Sequence, residues 1–199
     1  MDKSVPEYKN PFHPSTYAHF VARKDYRKTY DVYKDDTLLN RKPKKSRKIF
    51  VCLDEQRGQY LVDGLIAMDF PLSSGVKAYP TKTGDYTVIS KKEDHASNLY
   101  GKMYDAEGKC INYNAESTDP VPEGGRFDGS PMPYWQRLTN AGLGLHVGKV
   151  RRHPISHGCV RLPRNVAEIL YKQTSVGTPV IIQRTPLPVP EAQKAPAVQ

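Results

Sequence analysis

The rhythm of apolar and polar positions changes at Ile49. Upstream the chain is polar, basic and rich in tyrosine. Only Tyr17, Phe20 and Val21 recur at helical spacing there, which predicts a short helix starting after Ser15 or Thr16. From Ile49 the apolar run IFVCL reads as a buried strand, QRG at residues 56–58 as a turn, QYLV as a second strand, Asp63-Gly64 as another turn, and LIAMDFPL as a third strand. Three strands joined by tight turns make a meander.

Residues 73–91, SSGVKAYPTKTGDYTVISK, are punctuated by glycine and proline, so a loop precedes the expected strand YTVIS. Residues 93–133 sustain no strand or helix period and are rich in Gly, Pro, Asp and Asn. A loop of that length inside a compact domain reads as a lid or a binding surface. LGLHV is the next strand. Pro163 suits a first helical position, Val166, Ile169 and Leu170 share a helical face, and the helix should stop before Gly177. The strand TPVIIQ closes the domain, and RTPLPVPEAQKAPAVQ reads as a Pro-rich disordered tail. The expected organisation is a basic polar extension (1–47), one domain (48–184) with a loop-rich cap (93–133), and a tail (185–199). The class is mainly β, a sandwich or barrel-like pair of sheets with one clear helix.

Composition narrows this picture. With 199 residues and 38% apolar content, the chain can bury the core of one domain. A net charge of +9 favours anionic partners. The basic run at residues 41–48 has no nucleic-acid fold signature or stripe of aromatics beside it, so no nucleic-acid partner is expected. No apolar run approaches the roughly 18 residues of a membrane span, and the first residues lack the apolar core of a secretory signal. Cys52, Cys110 and Cys159 cannot all pair within one chain.

The densest chemistry lies in GLHVGKVRRHPISHGCVRLP, residues 144–163. His146, His153, His157 and Cys159 are all metal-ligand types, but His-x-Cys across a glycine is not a structural zinc pair, and Pro154 forbids a helix that would align His153 with His157. No metal is expected. A free cysteine is more often a small core side chain than a nucleophile. Here, however, a Ser-His-Gly-Cys turn follows a strand, and its glycine lets successive N–H groups approach the thiol. A nucleophile needs a thiol, a base titrating near neutrality and donors for an oxyanion. This stretch supplies all three, with the Gly158 and Cys159 amides as the donors and a histidine that would hold Cys159 partly as thiolate.

SHGCVRLP preceded by LH, with FPLSSGVKAYPTKTGDYTVISK far upstream, resembles the L,D-transpeptidase (YkuD-type) catalytic domain of bacterial peptidoglycan synthesis. The resemblance spans roughly residues 48–183. It implies Cys159 as the acylated nucleophile and His146 as its base, with Ser156, His157 and Gly158 completing the motif. The spacing from His146 to Ser156 is shorter than in the usual pattern, and Arg161 replaces the asparagine of some members. Arg161 either holds a substrate carboxylate or serves as a structural clamp. Tyr134, Trp135 and Met132 are further candidates for substrate contact, with Tyr100 and Gly101 in the cap. Core packing is as good an account of Trp135. His157 either lines the pocket or stiffens the turn, the second being favoured, and His153 reads as a solvated loop residue.

The implied partners are donor and acceptor stem peptides and carbapenem-type inhibitors, with no cofactor. The implied location is the periplasm or cell envelope. The implied reaction is a thioester on Cys159, released D-Ala and a 3→3 cross-link. Hydrolysis of the same bond class, or a non-catalytic wall-binding module, are the alternatives. A disulfide between Cys52 and Cys110 is left open.

Overall fold

The computed structural model describes residues 9–42, 46–186 and 188–194; part of the basic run and the end of the tail lie outside the described residues. In chain order the elements are α1 (Tyr17–Val21), β1 (Tyr33–Lys34), α2 (Asp36–Asn40), β2 (Arg47–Cys52), β3 (Arg57–Val62), β4 (Leu65–Pro71), β5 (Gly84–Thr87), β6 (Ser90–Lys92), β7 (Ala96–Tyr104), β8 (Cys110–Glu116), β9 (Arg126–Pro131), β10 (Trp135–Arg137), β11 (Gly144–Val147), β12 (Val160–Leu162), α3 (Arg164–Gln173) and β13 (Pro179–Gln183), followed by a 3-10 turn (Glu191–Gln193).

The meander forms: Ile49 lies opposite Tyr60, and Tyr60 opposite Met68. β13 returns parallel to β2, giving a six-stranded sheet ordered β1-β4-β3-β2-β13-β5. A second sheet is ordered β12-β11-β10-β6 and a third β8-β7-β9. The fold is mainly β. Ile49, Tyr60, Met68 and Phe70 of the first sheet, Leu145 and Leu162 of the second, and Val166 and Leu170 of α3 share one buried cluster. At about 1.5–3 kcal/mol for each large side chain, this burial supplies the main driving force for folding. No helix among the described residues is long and apolar enough to cross a membrane.

YTVIS is not one strand. The chain leaves the first sheet after Thr87, buries Val88 completely and enters the second sheet at Ser90, opposite Arg137. One short run therefore ties two sheets together at a corner. α3 begins one residue later than the helical pattern suggested. Pro163 has an extended ψ of 147° and sits at the cap position, its carbonyl accepting the Ala167 N–H at 2.9 Å. The helix stops at Gln173, before Gly177, which turns at φ +90°.

The largest departure is at residues 93–133, which form β7, β8 and β9 rather than a loop. Only Gly101, Met103 and Ala115 of these three strands are buried, so no apolar alternation marks them in the sequence. Their glycines serve close backbone approach. A side chain at Gly101 would meet the Asp128 carbonyl oxygen at 2.1 Å, and one at Gly129 the Ser97 carbonyl oxygen at 1.9 Å.

Described segments on both sides of the domain dock onto its first sheet. Asp69 accepts hydrogen bonds from Tyr17 Oη (2.7 Å), Tyr26 Oη (2.9 Å), Arg57 Nε (2.6 Å) and Gln59 Nε2 (2.9 Å). Arg57 also donates to the Thr29 and Asp31 carbonyls. The rings of Phe20 and Tyr26 flank its guanidinium at 5.3 and 4.9 Å. Arg57 and Asp69 are fully buried, and this dense bonding offsets their loss of hydration. Burial and the Asp69 charge push the Tyr17 and Tyr26 hydroxyls well above the ordinary phenol range. Within the expected tail, residues 188–194 are described, and they pack back on the first sheet. The Gln193 amide accepts from the Ile66 N–H (2.7 Å) and donates to its carbonyl (3.0 Å), imitating another strand at the β4 edge.

Candidate active site

The register of the second sheet assembles the site. β11 runs parallel to β12, with His146 opposite Arg161, and antiparallel to β10, with Arg137 opposite Gly144. β10 in turn places Trp135 opposite Lys92 and Arg137 opposite Ser90. One row across the sheet therefore reads Arg161, His146, Trp135, Lys92. The same register continued two residues back along β12 gives the row Cys159, Gly144, Arg137, Ser90. Residues two apart on a strand share a face. The thiol, imidazole, indole and two guanidiniums thus stand on one side of the sheet, and all five residues line a cavity of about 680 Å³. The cap strands cover it, contributing Tyr100, Gly101, Tyr113 and Glu116 to its wall.

Gly144 is required between these rows, because a side chain there would strike the Trp135 ring at 2.5 Å and the Gln136 carbonyl oxygen at 2.6 Å. The indole fills the vacated space, 3% exposed, with its ring 5.8 Å from His146 and 5.2 Å from His95.

The turn that presents Cys159 is pinned from the upstream Ser-Ser-Gly segment, whose role the sequence reasoning did not assign. Ser73 exchanges two backbone hydrogen bonds with Arg161, and its hydroxyl accepts the Arg151 N–H. The Ser74 carbonyl accepts the Ile155 and Ser156 N–H groups, and the Gln56 amide holds Ser74 from behind. Gly75 lies so close that an added Cβ would sit 2.8 Å from the Gly158 Cα. Thr81 Oγ1 accepts from the Gly75 N–H and donates to the Gly158 carbonyl at 2.6 Å. Gly158 itself has φ +111°, a conformation that favours glycine. Ser156 Oγ donates to the Cys159 carbonyl and accepts the Gly158 N–H at 3.2 Å. Of the two amides expected to face an oxyanion, that of Gly158 is therefore spent on the turn.

His146 is 6% exposed, and its Nδ1 lies 2.8 Å from the Val147 carbonyl oxygen. A carbonyl only accepts, so Nδ1 carries the proton and Nε2 is left with its lone pair. Burial holds the imidazole at a pKa of about 4, with the Arg161 and His95 charges adding to the depression. Burial also raises the Cys159 thiol; the Gly144 N–H and the Arg161 charge oppose this without reversing it. Both shifts favour a neutral thiol beside a neutral imidazole, where the motif suggests a partly formed thiolate. Desolvation disfavours both charges at once.

The other candidates separate clearly. Met132 and Trp135 line the cavity, but Tyr134 does not. Its φ of +56° turns it away, and its ring packs 5.5 Å from Tyr171 of α3. His157 does both things weighed for it: it lines the cavity and stacks on Tyr100 (4.5 Å) with Tyr79 tilted against it (4.9 Å), joining turn to cap. His153 is exposed in its loop. Arg161 makes no ion pair among the described residues. Its stem lies over Gly148, where a side chain would collide with Cγ and Cδ at 2.8 Å. Cys52 and Cys110 are both free thiols, so the disulfide left open does not form. Among the described residues no three His, Cys, Asp or Glu side chains cluster closely enough to hold a metal ion.

The family model of the YkuD L,D-transpeptidase catalytic domain matches residues 46–182. Probable L,D-transpeptidase 3 of Mycobacterium tuberculosis is 32% identical over 120 residues, which cover 57% of this chain and 38% of that protein. The chain therefore matches well under half the length of that relative. An L,D-transpeptidase from Mycobacterium smegmatis shares the fold at a TM-score of 0.53 and 22% identity, over 69% of this chain and 58% of its own. LD transpeptidase LdtMt1, solved in complex with imipenem, does so at 0.53 and 20%, over 69% and 59%. With the family model matching most of its length, this chain belongs to the YkuD L,D-transpeptidase family.

Proposed function

We propose that this protein is a cysteine L,D-transpeptidase acting on peptidoglycan stem peptides, with Cys159 as nucleophile and His146 as general base. The observation that carries the reading is the placement of a thiol and a buried imidazole in adjacent rows of one sheet face, with the thiol resting on the Gly142 carbonyl at 3.3 Å. Both open into the same cavity, and Val147 fixes the tautomer that leaves Nε2 basic.

The chemistry follows from the neutral resting pair. As a donor carbonyl approaches, His146 Nε2 takes the Cys159 proton while Sγ bonds to the carbonyl carbon joining the L-centre of a diamino acid to D-Ala. Charge then develops only when it is being used, which suits a desolvated site. Of the two turn amides, the Cys159 N–H is the one left for the oxyanion. When the carbon–nitrogen bond breaks, the imidazolium returns its proton to the departing D-Ala amine, leaving a thioester on Cys159. The side-chain amine of a second stem attacks the thioester, His146 accepts its proton, and that proton restores the thiol as the 3→3 cross-link leaves. Ser156 and Gly158 hold the turn, and Arg161 supplies positive charge beside both reacting groups. Carbapenem-type compounds, whose acyl group is strained, are inhibitors on this reading. The periplasm or cell envelope, where the substrate lies, is the site of action.

Incubation with tetrapeptide-bearing muropeptides tests the proposal. The expected products are free D-Ala and 3→3 dimers, both absent with Cys159→Ser. Free D-Ala with tripeptides and no dimers would make the enzyme an L,D-carboxypeptidase. No D-Ala release would overturn the reading.

A further inference from the structure

Arg137 is a cation without a partner inside the cavity. Its Nε is buried and has no hydrogen-bond partner among the described residues, and no carboxylate pairs with the guanidinium there. The side chain as a whole is half-buried, and the rest of the guanidinium, which keeps its charge, opens onto the cavity where an anion can reach it. Its place in the sheet is specific: it follows Cys159 and Gly144 in one row, so its Cα lies about 10 Å from that of Cys159, two interstrand spacings away. Gly144 between them has no side chain to block the path. On the far side Arg137 approaches His95, whose pKa it helps to lower. The cavity wall around it carries Lys82, Lys149 and Arg161 against the single acid Glu116, so the field favours an anion.

We propose that Arg137 is a substrate-binding residue that holds a carboxylate of the donor peptide, and so selects donors by the free acid they carry within about 10 Å of the bond attacked. This rests on the peptidoglycan reading above. A stem peptide offers carboxylates at its C-terminus and on its side branches, and a planar guanidinium can take any of them in a two-point bond.

The test uses the full chain and synthetic tetrapeptide donors in which each carboxylate is converted in turn to the carboxamide. Acylation of Cys159 is followed by intact mass. With the wild-type protein, one of the amides should lower kcat/KM by about 10- to 100-fold, the usual loss of a hydrogen bond to a charged group. Arg137→Gln should suffer a similar loss with the free acid and show no further loss with that amide. Which amide is sensed identifies the carboxylate. Arg137→Lys should recover part of the discrimination, which a purely structural role would not. If Arg137→Gln discriminates between acid and amide donors as the wild type does, or if no amide matters to the wild type, the proposal is wrong. Alkylation of Cys159 by iodoacetamide, neutral and small, should be alike in wild type and both variants, showing that the fold and thiol are intact. A wild-type protein that alkylates but accepts no peptide donor at all would instead refute the peptidoglycan reading.

Discussion

His146 carries a consequence for stability that can be separated from catalysis. In an unfolded chain its imidazole titrates near about 6.5, whereas in the fold burial holds it at about 4. Below pH 6.5 the unfolded chain therefore binds a proton that the folded chain refuses. Stability contributed by the neutral form is fully present above pH 6.5 and is lost as pH falls towards 4. Between pH 7 and pH 4.5 the wild type should lose about 2 to 3 kcal/mol more than His146→Gln, read from urea midpoints. Equal losses would mean that His146 is not desolvated as the structure shows. At this scale the sequence was informative about identity and weaker about orientation. Cys159 and His146 stand out in the sequence because few residue types can supply a nucleophile and a base, and the structure brings both to one cavity. Tyr134 was misread because a left-handed backbone, invisible in its neighbours, turns it to α3. The Gly158 amide was misread because Ser156 Oγ competes for it.

Elements were legible where burial imposes a rhythm. β4 carries a nearly continuous apolar run, and β2 and β3 end in the short apolar runs IFVC and YLV, because their sheet is the centre of the core; α3 shows its face because only one side meets that core. The cap strands β7, β8 and β9 are held by backbone pairing with little burial, which leaves no hydrophobic signature and makes them look like loop. The same fact predicts their dynamics. Local opening costs least where few apolar groups are buried. Hydrogen exchange should therefore show weaker protection across β7 to β9 than at Ile49, Phe50 and Val51. Equal protection would mean that the cap is an integral part of the core and does not move to admit substrate.

Over the whole molecule, the N-terminal segment is wired to the site as well as to the core. Arg152, in the loop between His146 and Cys159, donates to the Thr29 carbonyl at 3.0 Å and the Glu55 carbonyl at 3.1 Å; Thr29 also receives Arg57. The extension thus supports the far side of the loop that Ser73, Ser74 and Gly75 pin from the near side. No periodicity announces such long-range ties, because they depend on single polar side chains finding carbonyls across the fold. On the proposed mechanism this framework holds Cys159 to be acylated while His146 takes its proton. Intact-mass kinetics and peptide mapping after exposure to a carbapenem test it directly. The expected result is one adduct, on Cys159 and on neither Cys52 nor Cys110, formed about two to four orders of magnitude more slowly in His146→Ala. An adduct on Cys110, or an undiminished rate in the variant, would contradict it.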